Sequence, residues 1–363
     1  ERDSWTPATA EEAEALLEHV GYSDDEFQAR AFCGVLSRRS DEPWSDAMLA
    51  RLVRYAREHP DPTPESAVED PEALAVRAIN CARGCAAGAI RGLLFDRADR
   101  LTRLMPAIES LIRDGHPAVR MEAIGICLPI WNIDRDLAVT LFLTACRSAE
   151  DFVLMTPWLS EFIKFSRSSH ARSLVPLLER MALCGIKPVA VRGSFWSLVF
   201  WTQHGLGESL VARCRAGTNA QRAGIAEAAV ALALNGHAET VIPILNGLAS
   251  DPDLGVRHMV AAYCAPEAFD QPWCPAFTRM FVGAPAFTDD PTRLLHGLNE
   301  WSGSLMPYAP AVLEACRLFA GPLAEQARSV AIGHAMDVGT LSSLLLRLHE
   351  QAGEADQGIR RLC

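Results

Sequence analysis

Apolar positions in this chain recur at helical spacing and are punctuated by short polar turns. In LMPAIESLIRDGHPAVR (Leu104 to Arg120), Leu104, Ile108, Leu111 and Ile112 fall at i, i+4, i+7 and i+8, one face of a helix. A turn around Asp114 follows, where an aspartate can accept from free backbone N–H groups and cap the next helix. Pro117 stands where a second helix would begin and where a missing N–H costs little. The small apolar run AIGIC then suits close helix packing. Alternating period-2 patterns bounded by turn residues are scarce, so the pattern predicts helix–turn–helix units and an all-α chain.

The same phrase returns. VIPILNGLASDPDLGVR (Val241 to Arg257) repeats five residues at matched places, LVPLLERMALCGIKPVAVR (Leu174 to Arg192) is a third copy, and YAPAVLEACRLFAGPLAEQAR (Tyr308 to Arg328) a looser fourth. With the arginine as register mark, Arg83, Arg120, Arg192, Arg222, Arg257, Arg293, Arg328 and Arg360 imply a period of about 35 residues, with one arginine replaced near Thr156. That length fits paired helices.

The Asp…Val-Arg turn between apolar helices resembles HEAT and armadillo-like repeats over residues 73–363. The resemblance implies an α-solenoid of about eight helix–turn–helix repeats, with Asp114, Arg120, Asp251 and Arg257 as a structural ladder between neighbouring units. The units of Arg192, Arg222 and Arg328 lack an aspartate at the matching place, so the ladder is expected to have gaps.

Three further stretches, NCARGCAAGAIRGLLF (Asn80 to Phe95), GAPAFTDDPTRLLHGLNE (Gly283 to Glu300) and LLLRLHEQ (Leu344 to Gln351), resemble the C-terminal helical-repeat regions of large bacterial STAND-type ATPases. That resemblance implies a sensor: a repeat region that recognises a trigger, often a phage protein, and an ATPase core that oligomerises in response. This chain has no G-x-x-x-x-G-K-[ST] loop, and its two lysines, Lys164 and Lys187, follow no glycine-rich turn. It starts at Glu1 without methionine and stops at DQGIRRLC, which matches the opening of another unit, so it is expected to be part of a longer protein, truncated within its last repeat.

Charge divides the chain unevenly. The net charge is −11; residues 1–70 carry a balance of −10 and the remainder −1. The reading is therefore an acidic N-terminal helical segment over 1–59, a Pro/acid-rich linker or loop over 60–72, and the solenoid over 73–363. Three helices are expected in the first segment, with capping boxes at Thr9/Glu12 and Ser23/Glu26. A nearly neutral solenoid with interspersed arginines and acids argues against nucleic acid as partner. No apolar run approaches eighteen residues, and no basic-then-apolar leader opens the chain, so a cytoplasmic protein without a membrane partner is expected. The eleven cysteines are irregularly spaced, and several lie in apolar helix runs, as reduced buried thiols do. Cys81 and Cys85 share a helix face but have no second ligand pair, so no metal or cofactor is expected.

Two sets of residues qualify as partner contacts. Counted from the helix proline, Glu109, Glu179 and Asn246 are equivalent, and Glu314 comes one residue later; stacked units would align them as a stripe. In HEAT-like arrays the second helices line the concave face. FWSLVFW brings Phe195, Trp196 and Trp201, with His204 nearby, into a cluster that serves either the core or an interface. His116, His258, His296 and His334 lie near turns, with Asp289, Asp290 and Asp337 in the neighbourhood, but no spacing compels a base, a nucleophile or a metal triad. The expectation is a non-enzymatic module binding another protein, with any oligomer formed through the full-length parent. The alternatives are a HEAT-like enzyme such as an alkylpurine DNA glycosylase, which needs a cationic, aromatic-lined base pocket, or a passive oligomerisation scaffold.

Overall fold

The computed structural model describes residues 9–63, 71–147, 150–320, 331–352 and 359. Arg328, Arg360, most of the expected linker and the DQGIRRLC terminus, apart from Ile359, lie outside them. Among the described residues all regular structure is helical. The chain forms two compact units, Glu1–Val189 and Ala190–Cys363.

In the first unit the helices are α1 (Ala10–Val20), α2 (Glu26–Arg38), α3 (Asp46–Glu58), α4 (Pro71–Asn80), α5 (Ala82–Asp96), α6 (Leu101–Ile112), α7 (Pro117–Ile133), α8 (Arg135–Arg147) and α9 (Pro157–Ala182). Two layers emerge from their packing. First helices α3, α6 and α8 adjoin in series, as do second helices α2, α5, α7 and the first half of α9, and the layers pack on each other. The N-terminal helices α2 and α3 are thus part of the stack. Helix α9 breaks at His170 (φ −124°, ψ 23°), after which Ala171–Ala182 repeats, residue for residue, the order of buried and exposed positions in Leu101–Ile112 of α6.

The second unit contains α10 (Lys187–His204, all but its first three residues), α11 (Glu208–Arg215), α12 (Asn219–Leu232), α13 (Ala238–Leu248), α14 (Leu254–Ala261), α15 (Cys274–Val282), α16 (Pro285–Asp289), α17 (Pro291–Glu300), α18 (Ala309–Ala320) and α19 (Ala331–Gln351). Here α13, α15 and α18 adjoin in one layer, and α12, α14 and α16 in the other. Gly224 of α12 lies so close to α10 that a Cβ would sit 2.1 Å from the Val191 carbonyl oxygen. Arg347 of α19 donates to the carbonyls of Leu298, Asn299, Trp301 and Gly303, satisfying the C-terminal end of α17. One stretch, Asn219–Leu248, is long and apolar enough by composition to cross a membrane. Non-helical Asn235 and Gly236 (φ 87°) divide it into α12 and α13, which pack on each other.

Several local expectations need correction. The Thr9/Glu12 capping box forms, but α2 is capped by Asp25, which accepts from the Gln28 N–H at 2.9 Å, because the helix starts at Glu26 and Ser23 is too far upstream. The turn aspartates are not the caps of α7 and α14. Asp114 and Asp251 accept from the N–H two residues on (2.8 and 2.9 Å), while His116 and Asp253 cap the helices. Where the register arginine is missing, buried Thr156 donates to the Met121 carbonyl of the preceding unit.

Candidate functional site

Three of the register arginines reach forward to the following repeat. Arg83 binds Asp114 (2.8 and 3.3 Å), Arg222 binds Asp251 (2.6 and 3.1 Å), and Arg257 binds Asp289 and also the Asp251 carbonyl. Arg222 therefore has an aspartate, supplied by the following unit and not by its own. Asp251 and Asp114 are at most one-tenth exposed and hold turn and arginine at once. Arg120 is buried, and that burial lowers its pKa against the opposing charges of Glu150 and Asp114.

A concavity of about 730 Å³ opens in the first unit beside this ladder. It is lined by Pro106 and Glu109 of α6, Arg113 just after that helix, Arg57 at the end of α3, Arg83, the Asp114–Pro117 turn and Glu150. Arg83 is immobilised, donating also to the His59 and Pro62 carbonyls. By contrast, Glu109 and Arg113 are each more than half exposed and 3.8 Å apart, a contact weak enough to exchange for another partner.

A smaller groove lies beside the proline in each of two other first helices. Pro176, Leu177 and Arg180 border one of about 160 Å³ against α8; Ile242, Pro243 and Asn246 border an apolar one of about 360 Å³ against Trp273, Phe277 and Met280 of α15. The stripe residues Glu109, Glu179 and Asn246 are exposed at equivalent places on these first helices, and Glu314 is half-exposed and paired with Arg317 at 3.0 Å. The stripe thus sits on first helices, whereas the family resemblance places binding on second helices.

The aromatic stretch divides. Trp196 and Phe200 are buried; Phe195, Trp201 and His204 are half-buried, with His204 edge-on to Phe200 at 5.6 Å. The described cysteines are free thiols, and burial pushes Cys81 up to about 12 and Cys85 up to about 11.

One polar cluster was missed from the sequence. The Glu122 carboxylate of α7, almost fully buried, accepts from Arg91 of α5 (3.1 and 3.2 Å) and from the Trp158 indole of α9 (2.7 Å), while the Arg91 guanidinium stacks 4.0 Å over that indole. Its oxygens are engaged on both sides, so it serves as a fixed acceptor joining three second helices. Gly125 makes room, since a Cβ there would lie 2.7 Å from Arg91 Nη1. The intervals of 31 and 36 residues are each close to one repeat, a signal that could have paired them. Compared with known protein families, curated proteins and solved structures, the chain finds no match.

Proposed function

We propose that this chain is a protein-binding module of the HEAT-like kind, the trigger-sensing part of a larger bacterial STAND-type ATPase acting in phage defence. The observation that supports it most is the concavity that recurs beside Pro106, Pro176 and Pro243, with a stripe residue three positions after each proline. Equivalent exposed positions in successive units let one partner be read by several units in parallel, and grooves of mixed polarity suit a polypeptide surface. In this reading Glu109 and Glu179 accept from basic or hydrogen-bonding groups of the trigger.

The test is affinity capture from phage-infected and uninfected cells with the wild-type chain and a Glu109→Lys/Glu179→Lys variant that keeps its helical content. A phage protein recovered by the wild type and lost by the variant supports the reading. Equal recovery removes the stripe as the contact face. A gene encoding no Walker-type ATPase upstream of Glu1 removes the sensor assignment.

A further inference from the structure

Two of the three grooves beside a first-helix proline hold arginines of the chain itself: Arg57, Arg83 and Arg113 beside Pro106, and Arg147 and Arg180 beside Pro176. The groove beside Pro243 differs. Among the described residues no basic side chain borders it, and its one charged group is Glu239, exposed in the first turn of α13. Glu239 has no ion-pair partner among the described residues. It shares a side of α13 with Ile242 and Asn246, at i, i+3 and i+7.

The opposite wall is aromatic and anchored in the core. Trp273, at the cap of α15, is followed by Phe277 and Met280 at i+4 and i+7. Phe277 is 2% exposed and stands edge-on to Tyr263 at 4.7 Å and to Trp273 at 6.0 Å. Trp273 is half-buried with its Nε1 enclosed, so what it offers the groove is ring carbon. Elsewhere the chain covers such rings itself: an arginine stands over Tyr22 at 3.6 Å, over Trp158 at 4.0 Å and over Trp131 at 5.3 Å. Among the described residues no cation stands over Trp273.

An apolar, aromatic wall facing a lone carboxylate has a definite complement. The ring carbons and the adaptable Met280 thioether take an apolar side chain, the carboxylate and the aromatic ring both attract a cation, and an acidic segment is repelled. We propose that this groove docks a basic–apolar pair of the partner protein: a large apolar side chain against Trp273, Phe277 and Met280, and beside it an arginine or lysine that meets Glu239. At about 360 Å³ the groove is at the small end of ligand pockets, with room for one or two side chains. The inference rests on reading the chain as a protein-binding module. It names the partner chemistry of one groove and makes no use of Glu109 or Glu179.

The experiment uses the whole chain with carbon-13 in the methyl groups of methionine and isoleucine, the Met280 and Ile242 signals being assigned with Met280→Leu and Ile242→Val. The probes are N-acetyl-phenylalanyl-arginine amide and its uncharged counterpart, in which citrulline replaces arginine. Both should shift the two signals, and the arginine peptide should bind roughly fivefold more tightly, a difference that shrinks in 1 M salt. Glu239→Gln should bring the two affinities together. Ala276→Trp, a change at an exposed position in the groove, should weaken both peptides while far-UV circular dichroism stays the same. Equal affinities in the wild type, a difference that persists in Glu239→Gln, indifference to Ala276→Trp, or no shift at either methyl overturns the proposal. So do shifts that follow protein concentration without peptide, which would assign the groove to a second copy of the chain. Capture of a phage protein with no response to the arginine peptide would sink this inference alone; a selective peptide response with no trigger captured would sink the sensor reading alone.

Discussion

Helices α7 and α14 begin alike, with PAVR and LGVR behind an aspartate turn, yet one is enclosed and the other open. The shared phrase dictates what both need locally: a turn held by the aspartate and a helix cap two residues further on. What differs is long-range. Helix α7 is flanked by α5 and α9, joined to them through Glu122, and additionally contacted by α4, whereas α14 keeps Arg257, His258 and Met259 within reach of solvent. Repetition therefore specifies the joints of such a fold, and departures from repetition decide which surfaces stay available.

The sharpest way to break this comparison is to delete the matched side chains. Glu122→Ala leaves Arg91 and the Trp158 indole without their acceptor and should cost about 3 kcal/mol in urea denaturation. Met259→Ala at the corresponding place in α14 should cost less than about 1 kcal/mol. Equal losses would mean that enclosure of α7 has no energetic meaning.

A joint common to both units should behave alike in each. Asp114→Ala and Asp251→Ala each remove a bidentate arginine partner and a turn acceptor, and should destabilise by about 2 kcal/mol. A markedly smaller loss at one of them would show that the turn survives there without its carboxylate.

A smaller effect concerns alkaline pH in the first unit, where burial holds Cys81 up to about 12 and Cys85 up to about 11. The unfolded thiols ionise near pH 8.5 while the folded ones stay protonated, so the folded state binds more protons and stability falls as pH rises beyond about 8.5. Thermal melts between pH 8 and pH 10 should show a declining Tm that Cys81→Ala and Cys85→Ala attenuate. The smallest effect belongs to the stripe: Glu109→Lys and Glu179→Lys, both at exposed positions, should alter stability by less than about 0.5 kcal/mol. A larger change would make those side chains part of the scaffold.

The all-helical architecture was legible because periodicity is local: the burial order of α6 recurs in the second half of α9, just as LMPAIESLI and LVPLLERMA suggest. The ladder was half legible. The aspartates and arginines are visible in the sequence, and so is the missing aspartate in the unit of Arg222, but one short phrase does not reveal that Arg222 pairs with the aspartate of the following unit. The role of α4 was not legible at all. PEALAVRAIN reads as an ordinary amphipathic helix, and nothing in its spacing indicates that Leu74 and Ala78 meet α5 and α7 rather than a sequential partner. Helix α3 falls within the acidic N-terminal stretch, although its own Asp46 and Glu58 are outnumbered by Arg51, Arg54 and Arg57, and Met48, Leu49 and Leu52 tie it into the core. The concavities beside the prolines are lined from more than one helix, which no single helix encodes.

The turn phrase from Asp251 to Arg257 holds both halves of a connector, with Asp251 receiving from Arg222 before it and Arg257 donating to Asp289 after it. A duplication or loss of one whole period would therefore leave an intact joint at every new junction. Genes of this design can grow or shrink by recombination in whole-period steps, whereas a gain or loss of half a period would leave an arginine facing no carboxylate.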